Sequence, residues 1–202
     1  MLLSINSQNP QMRLVRKAVE CLRDGGVIIY PTDTVYGLGC DLFNKRGIEK
    51  IYDIKKRSKK DPLSFVCADL KDISRYALVS DYAYKTMRRL LPGPYTFILQ
   101  ASRLVPKIIL PKRQTTGIRV PDHPICQALV QELGQPIIST SVKTAQGELL
   151  NDPYIIREHF SHCVDIIIDG GIIPAEPSSV ISLADDQIEI LRVGKGDVSA
   201  FQ

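Results

Sequence analysis

The four residues at 27–30, VIIY, leave the chain few architectures to choose from. The run is short, mostly β-branched and apolar, so it reads as a strand buried on both faces; a strand with no solvent face needs layers packed above and below its sheet. VDIIID, which ends in Gly170 and Gly171, reads as a further strand.

Helices supply the layers. NPQMRLVRKAVECLRDGG marks both ends of one: Asn9 as cap, Pro10 at the first helical position, Gly25 and Gly26 as the stop, and Leu14, Val15, Ala18, Val19 and Leu22 on one face. A second helix opens near Asn44, carries Ile48, Ile51 and Ile54, and runs into KKRSKK, a cationic last turn that the helix dipole favours. There follow a strand at 63–67, a helix capped by Ser80 and stopped by PGP, and the strand YTFILQA. TGIRV and PIIST are strands separated by the helix HPICQALVQELG, with Gly134 as its stop; Asp152 and Pro153 start another helix, and SSVISL and IEILRV form a hairpin around ADDQ. Helices and strands alternate early and strands cluster late. This predicts an α/β fold, a mixed parallel and antiparallel sheet with packed helices over residues 1–202 as one domain, for which 44% hydrophobic content supplies a core. Residues 141–152 are expected to be a mobile loop, as a lid or a surface connection.

Several function classes lose support at once. Cys21, Cys40, Cys67, Cys126 and Cys163 contain no CxxC pair, so neither a disulfide framework nor a zinc ribbon is expected. MLLSINSQNP lacks a signal-peptide pattern and no segment reaches membrane-span length, so the expectation is a cytoplasmic protein with no membrane partner. No GxxxxGK[ST], GxGxxG or GxSxG is present. His159, His162 and Cys163 in EHFSHC lack a fourth ligand and read as surface residues, so no metal site is assigned; His123 sits at a helix start.

PTDTVYGLG, residues 31–39, directly follows VIIY and raises the functional question. Ligands of α/β proteins bind at the carboxyl ends of strands. Here Thr32, Thr34 and Tyr36 offer hydroxyls, and Gly37 and Gly39 allow close backbone approach; the alternative is a turn whose hydroxyls serve its own backbone. Other strand ends carry Ser139, Thr140 and Ser141, or Ser178 and Ser179, and Arg119 lies inside an apolar run, either solvated or facing a cleft as a receptor for carboxylate or phosphate. Lys55, Lys56, Arg57, Lys59, Lys60 and Arg192 add cations, which read either as a solubilising surface or, with the hydroxyl loops, as a pocket for a phosphate-bearing ligand beside a small polar one. The formal charge of +4 invites an anionic partner without demanding one.

PTDTVYGLG, IYDIKKRSKKDPLSF, GIRVPDHPI, PIISTS, PSSVISL and ILRVGKGDV occur in the order that resembles the YrdC/YciO family, over residues 25–198. The resemblance implies a twisted YrdC-like (YrdC/RibB-type) fold with a basic concave face linked to nucleotide and double-stranded RNA. It implies an enzyme, a nucleotidyltransferase that makes threonylcarbamoyl-AMP from L-threonine, bicarbonate and ATP with Mg2+, releasing pyrophosphate, for tRNA threonylcarbamoyladenosine modification; no permanently bound cofactor is expected. By the same resemblance, Lys55, Arg57, Thr115, Ser141 and Arg192 are the nucleotide-binding residues. Thr34, Arg119, Ser139 and Ser178 are the substrate-binding residues, supported by Thr32 and Tyr36. Val66 stands where the synthases commonly carry histidine, Ser141-Val142-Lys143 where they read SAN, Ser178-Ser179 where they read ST, and the loop beyond Lys143 reads ELL. These departures resemble the YciO branch, for which a related adenylate is the other substrate expected. A protein that binds tRNA or double-stranded RNA through the basic face is the alternative.

Overall fold

In the computed structural model, which describes residues 1–56, 63–185 and 187–201, VIIY supplies a strand, Ile28–Tyr30, buried at every position. In chain order the elements are β1 (Leu2–Ser4), α1 (Met12–Arg23), β2 (Ile28–Tyr30), β3 (Gly37–Asp41), α2 (Lys45–Lys55), β4 (Ser64–Val66), α3 (Leu70–Tyr76) and α4 (Asp81–Leu90). Then come β5 (Tyr95–Gln100), β6 (Thr115–Arg119), α5 (Pro124–Leu133), β7 (Ile137–Ser141), α6 (Pro153–Phe160), β8 (Ile166–Asp169), β9 (Ser179–Ser182) and β10 (Glu189–Arg192). The strands form a 10-stranded sheet in the order β1-β8-β2-β3-β7-β4-β6-β5-β9-β10. It is mixed: β1–β8, β2–β8, β4–β6 and β5–β9 run parallel, and the remaining neighbours antiparallel.

Period-two alternation along the strands divides the core in two. Ile29, Leu38, Phe65, Phe97, Ile118, Ile138 and Ile181 face a cluster covered by α2, α3, α4 and α6 through residues such as Ile48, Ile51, Ile73, Met87 and Ile156. Ile28, Tyr30, Val66, Ile137, Ile166 and Ile168 face the other way, against Val15, Val19 and Leu22 of α1 and Ile125, Leu129 and Val130 of α5. Each fully buried aliphatic side chain of this kind contributes about 1.5–3 kcal/mol. The second cluster contains no residue of β5, β6, β9 or β10, so two helices cover only part of that face and the rest is left open.

Caps fix most helix starts as expected: the side chains of Asn44, Ser80 and Asp152 accept from Gly47, Ala83 and Tyr154 backbone N–H groups. The first helix differs. It begins at Met12 with Gln11 as cap, not at Asn9 and Pro10, because the Asn6 side chain accepts from the Gln8 and Asn9 N–H groups and holds those residues in a turn. Three elements carry no mark in the sequence: β1, α3, and β3, whose first three residues close the loop PTDTVYGLG and pair with both β2 and β7. Residues 141–152 form an internally bonded turn rather than an open loop. Lys143 bridges Leu149, and the Thr144 N–H donates to the Glu148 carbonyl at 2.9 Å.

Candidate functional site

The open part of the sheet face is a cleft; Gly37 lines its floor, where a Cβ would come 2.9 Å from the Ser139 hydroxyl, and two further glycines let its strands pack closely. Tyr30 is fully buried, and its ring lies across β3, so a Cβ on Gly39 would come within 2.8 Å of Tyr30 Cε1 and collide with the Ile138 carbonyl. On β6, a Cβ on Gly117 would collide with the Ser64 hydroxyl. A run of cross-strand pairs crosses this floor: Gly39 opposite Ser139, Ser139 opposite Ser64, Ser64 opposite Gly117, and Gly117 opposite Ile98. The cleft holds about 210 Å³ and is lined by hydroxyls of Thr32, Ser64, Thr96, Ser139, Ser141 and Ser178, with Lys55, Lys143, Arg119 and Arg192 as cations. It lies across one face of the sheet and takes in strand ends, since Arg119, Ser141 and Arg192 are the last residues of β6, β7 and β10.

At one wall, Arg119 is held from two sides. Its Nη2 donates to Asp33 Oδ1 at 2.8 Å and to Thr34 Oγ1 at 2.9 Å, and the Arg119 and Asp33 side chains are both buried. Arg119 Nε and Asp33 Oδ2 are buried and have no partner among the described residues. A guanidinium N–H left in this state at a polar cleft is suited to an anionic oxygen. Thr32 is used locally: its hydroxyl donates to the Val35 carbonyl at 2.6 Å and accepts from the Thr34 and Val35 N–H groups. His123 faces the same group; burial lowers its pKa, against the opposing pull of Asp33 and Asp122.

The opposite wall is built around Ser178. Its hydroxyl bonds Thr96 Oγ1 at 2.8 Å, and its carbonyl accepts from both Nε and Nη2 of Arg192 at 3.0 and 2.8 Å. Burial, then the nearby Arg119 charge, lowers the Arg192 pKa. The segment after β10 ties these walls together. Ser179 Oγ donates to the Gly196 carbonyl and accepts from the Gly194 N–H, Tyr95 OH donates to the Asp197 carbonyl, and Lys195 Nζ reaches across to the Asp33 carbonyl. A Cβ on Gly196 would lie 2.5 Å from the Tyr95 ring, so the strap needs glycine there.

Of the residues assigned from sequence, the structure brings Thr32, Lys55, Arg119, Ser139, Ser141, Ser178 and Arg192 to this cleft. Lys55 Nζ donates to the Ser141 carbonyl at 3.0 Å. Thr34 is fully buried and reaches the site through Arg119. Tyr36 points away: it lies in the first core cluster, with its hydroxyl donating to the Gly171 carbonyl and accepting from the Gly170 N–H. Thr115 does not line the cleft; it pairs with Gln100 at the start of β6, two residues from Gly117 on the same strand face. Arg57, Lys59 and Lys60 fall outside the described residues. Asp33, Ser64, Thr96 and Lys195 were missed. Asp33 sits inside the quoted PTDT and Lys195 inside GKGD, but only spatial neighbours reveal their partners.

All five cysteines are free, and among the described residues no helix is long and apolar enough to cross a membrane. The family model Sua5_yciO_yrdC, described as telomere recombination, matches residues 20–194. Uncharacterized protein YciO of Escherichia coli (strain K12) is 42% identical over 199 residues, 98% of this chain and 97% of that one. The crystal structure of E. coli YciO superposes with a TM-score of 0.95, covering 100% of this chain and 99% of that one. A threonylcarbamoyl-AMP synthase of Coxiella burnetii (strain RSA 493) is 36% identical over 182 residues, 89% of this chain and 96% of that one. The crystal structure of P. abyssi Sua5 complexed with L-threonine superposes with a TM-score of 0.90 at 27% identity, over 96% of this chain and 57% of that one.

Proposed function

The chain belongs to the Sua5/YciO/YrdC family, and from that premise we propose that it uses ATP to build or process an amino-acid-derived adenylate, with L-threonine as the amino acid and threonylcarbamoyl-AMP as the adenylate. The observation that carries this reading is the buried Nε of Arg119, without a partner among the described residues, in a cleft lined by hydroxyls. A free amino acid presents a carboxylate for that N–H and a small polar side chain for hydroxyls such as those of Ser139 and Ser178. The P. abyssi Sua5 structure holds L-threonine, which favours this amino acid over others.

In the synthesis direction, the threonine amine and bicarbonate condense to a carbamate with loss of water. A carbamate oxygen then attacks the α-phosphorus of ATP, the bond to the bridging oxygen breaks, and pyrophosphate leaves. No covalent enzyme intermediate is needed. Lys55, Lys143 and Arg192 stabilise charge on phosphate oxygens from fixed positions, while Arg119, preoriented by Asp33 and Thr34, holds the carboxylate. Magnesium arrives on the nucleotide: among the described residues no three metal-ligating side chains come together, so the phosphates would supply most of its ligands. A cytoplasmic setting goes with a nucleotide substrate and five free thiols. The nucleic-acid alternative has no specific support among the described residues, and Lys59 and Lys60 lie outside them.

The test is an assay of the purified chain with ATP, magnesium, bicarbonate and L-threonine, following both pyrophosphate release and the adenylate. Threonine-dependent product that is lost in Arg119→Ala supports the reading. Threonine-independent turnover, or binding of ATP with no response to threonine in either direction of the reaction, overturns the choice of amino acid.

A further inference from the structure

Of the side chains buried behind the cleft, Tyr30 carries a polar atom that the fold does not use. It is fully buried, and its hydroxyl has no hydrogen-bond partner among the described residues. A buried hydroxyl in that condition is a net cost to stability, and phenylalanine would fill the same space without it. A tyrosine kept there needs a reason for its oxygen.

The sheet supplies one. Tyr30 ends β2 opposite Gly37 of β3, and Ser139 of β7 stands opposite Gly39 of the same strand. The Cβ that would meet Ser139 Oγ on Gly37 would also lie 3.2 Å from Tyr30 Cζ, and one on Gly39 would lie 2.8 Å from Tyr30 Cε1. The two glycines therefore let the phenol end of Tyr30 approach the Ser139 hydroxyl from behind, while Ser139 lines the cleft in front. Burial, then the Cys126 thiol, raises the Tyr30 pKa; Ser139 and Arg119 pull the other way, and the net shift is upward, so the phenol keeps its proton. A serine hydroxyl has one proton to give and two acceptor positions, and a ligand that fills the cleft takes water away from it.

We infer that Tyr30 is a positioning residue for side-chain specificity: with an amino acid in the cleft, its hydroxyl donates to Ser139 Oγ, which commits the Ser139 proton to an oxygen of the ligand's side chain. This rests on the adenylate-forming reading above and deepens it, because it gives the means by which a side-chain hydroxyl is told from a methyl group. A donor committed in this way rejects an apolar isostere, since the proton is then buried without an acceptor. For L-threonine that isostere is L-valine.

The experiment is calorimetric titration of the full chain with L-threonine and with L-valine, alongside thermal unfolding of each variant. Wild type should bind threonine more tightly than valine. Tyr30→Phe removes one oxygen and should weaken threonine binding about three- to tenfold, the size of one neutral hydrogen bond, with valine bound no more weakly than before. Ser139→Ala should lose the same preference, and adding Tyr30→Phe to it should cost nothing more. Since the Tyr30 hydroxyl bonds no described residue, Tyr30→Phe should melt no lower than wild type. Tyr76→Phe, which removes a phenol oxygen from the other core cluster, should leave both ligands unaffected. A role in packing alone gives the opposite pattern, with a lower Tm and both amino acids weakened alike. The inference is overturned by that pattern, by a Tyr30→Phe protein that binds threonine as wild type does, or by losses in Tyr30→Phe and Ser139→Ala that add. A wild type that binds no threonine sinks the adenylate reading and this inference together, whereas threonine binding that survives Tyr30→Phe sinks the inference alone.

Discussion

Removing the Asp33 carboxylate should both destabilise the fold and disorder the site, and the size of the effect can be worked from the pair itself. Arg119 Nη2 and Asp33 Oδ1 are 2.8 Å apart on side chains 8% and 7% exposed. With an effective dielectric of about 20, unit charges ~4 Å apart attract by about 4 kcal/mol. Taking one partner out of a buried pair costs about 3–5 kcal/mol, since the other charge stays behind without compensation. Thr34 still accepts from Arg119, and the cleft admits water, so Asp33→Ala belongs at the low end, ~3 kcal/mol. In a chain of 202 residues each kcal/mol moves Tm by about 2–4 °C, so a fall of about 6–12 °C is expected in thermal unfolding followed by circular dichroism. Arg119→Met strands the acid instead, and the double variant removes both charges. A double-mutant cycle should show a coupling of ~2 kcal/mol, with the double variant more stable than the sum of the singles implies. Additive losses, or a cost below about 1 kcal/mol for Asp33→Ala, would refute the claim that these residues act as one buried unit.

Arg119→Lys keeps the charge and loses the planar fork, so threonine affinity measured by calorimetry should fall about 10- to 100-fold with little change in Tm; unchanged affinity would mean the guanidinium geometry is not what the ligand meets. Gly39→Ala drives a methyl group into the Ile138 carbonyl and the Tyr30 ring and should cost about 2–3 kcal/mol in urea unfolding, whereas Gly147→Ala, with open space but φ of 91°, should cost only ~1–2 kcal/mol. Equal costs would show that the floor has room to give. Burial raises the Asp165 pKa, but the Lys50 hydrogen bond, the Val27 N–H and the Lys50 charge together outweigh it, and the net shift is downward from 3.8. A depressed carboxylate contributes stability that is complete above its unfolded value and is lost as pH falls from about 3.9 through the lower folded pKa. Lys50→Met should therefore raise the midpoint of acid unfolding, and an unmoved midpoint would dismiss the pair as a stability element.

The parts of this fold that were legible in the sequence are those in which one residue announces a local event. Asn44, Ser80 and Asp152 cap helices, Gly134 ends one in the left-handed region, and VIIY is a strand because it can be little else. Strand β3 was hidden for the opposite reason. GLGCD has few side chains with which to show a period, and its glycines are required by Tyr30 and Ile138, residues of the neighbouring strands β2 and β7. The site divides along the same line. Hydroxyls and cations could be read as a set of groups fit for a phosphate and a small polar ligand, but the bond from Arg119 to Asp33 spans 86 positions and has no local signature. Where on the sheet face the cleft opens follows from how far α1 and α5 extend across it, which is a matter of packing and not of motif.

The strap after β10 gives the cleft a history as well as a shape. Asp33 waits for Lys195, 162 positions later, and Ser179 waits for Gly194 and Gly196. At about 5–20 residues per second, a ribosome leaves the two halves of this site apart for ~8 s or longer. A growing chain therefore carries the cations and hydroxyls of the cleft made but not assembled until this segment follows. Competence arrives abruptly, when the last wall is tied to the first.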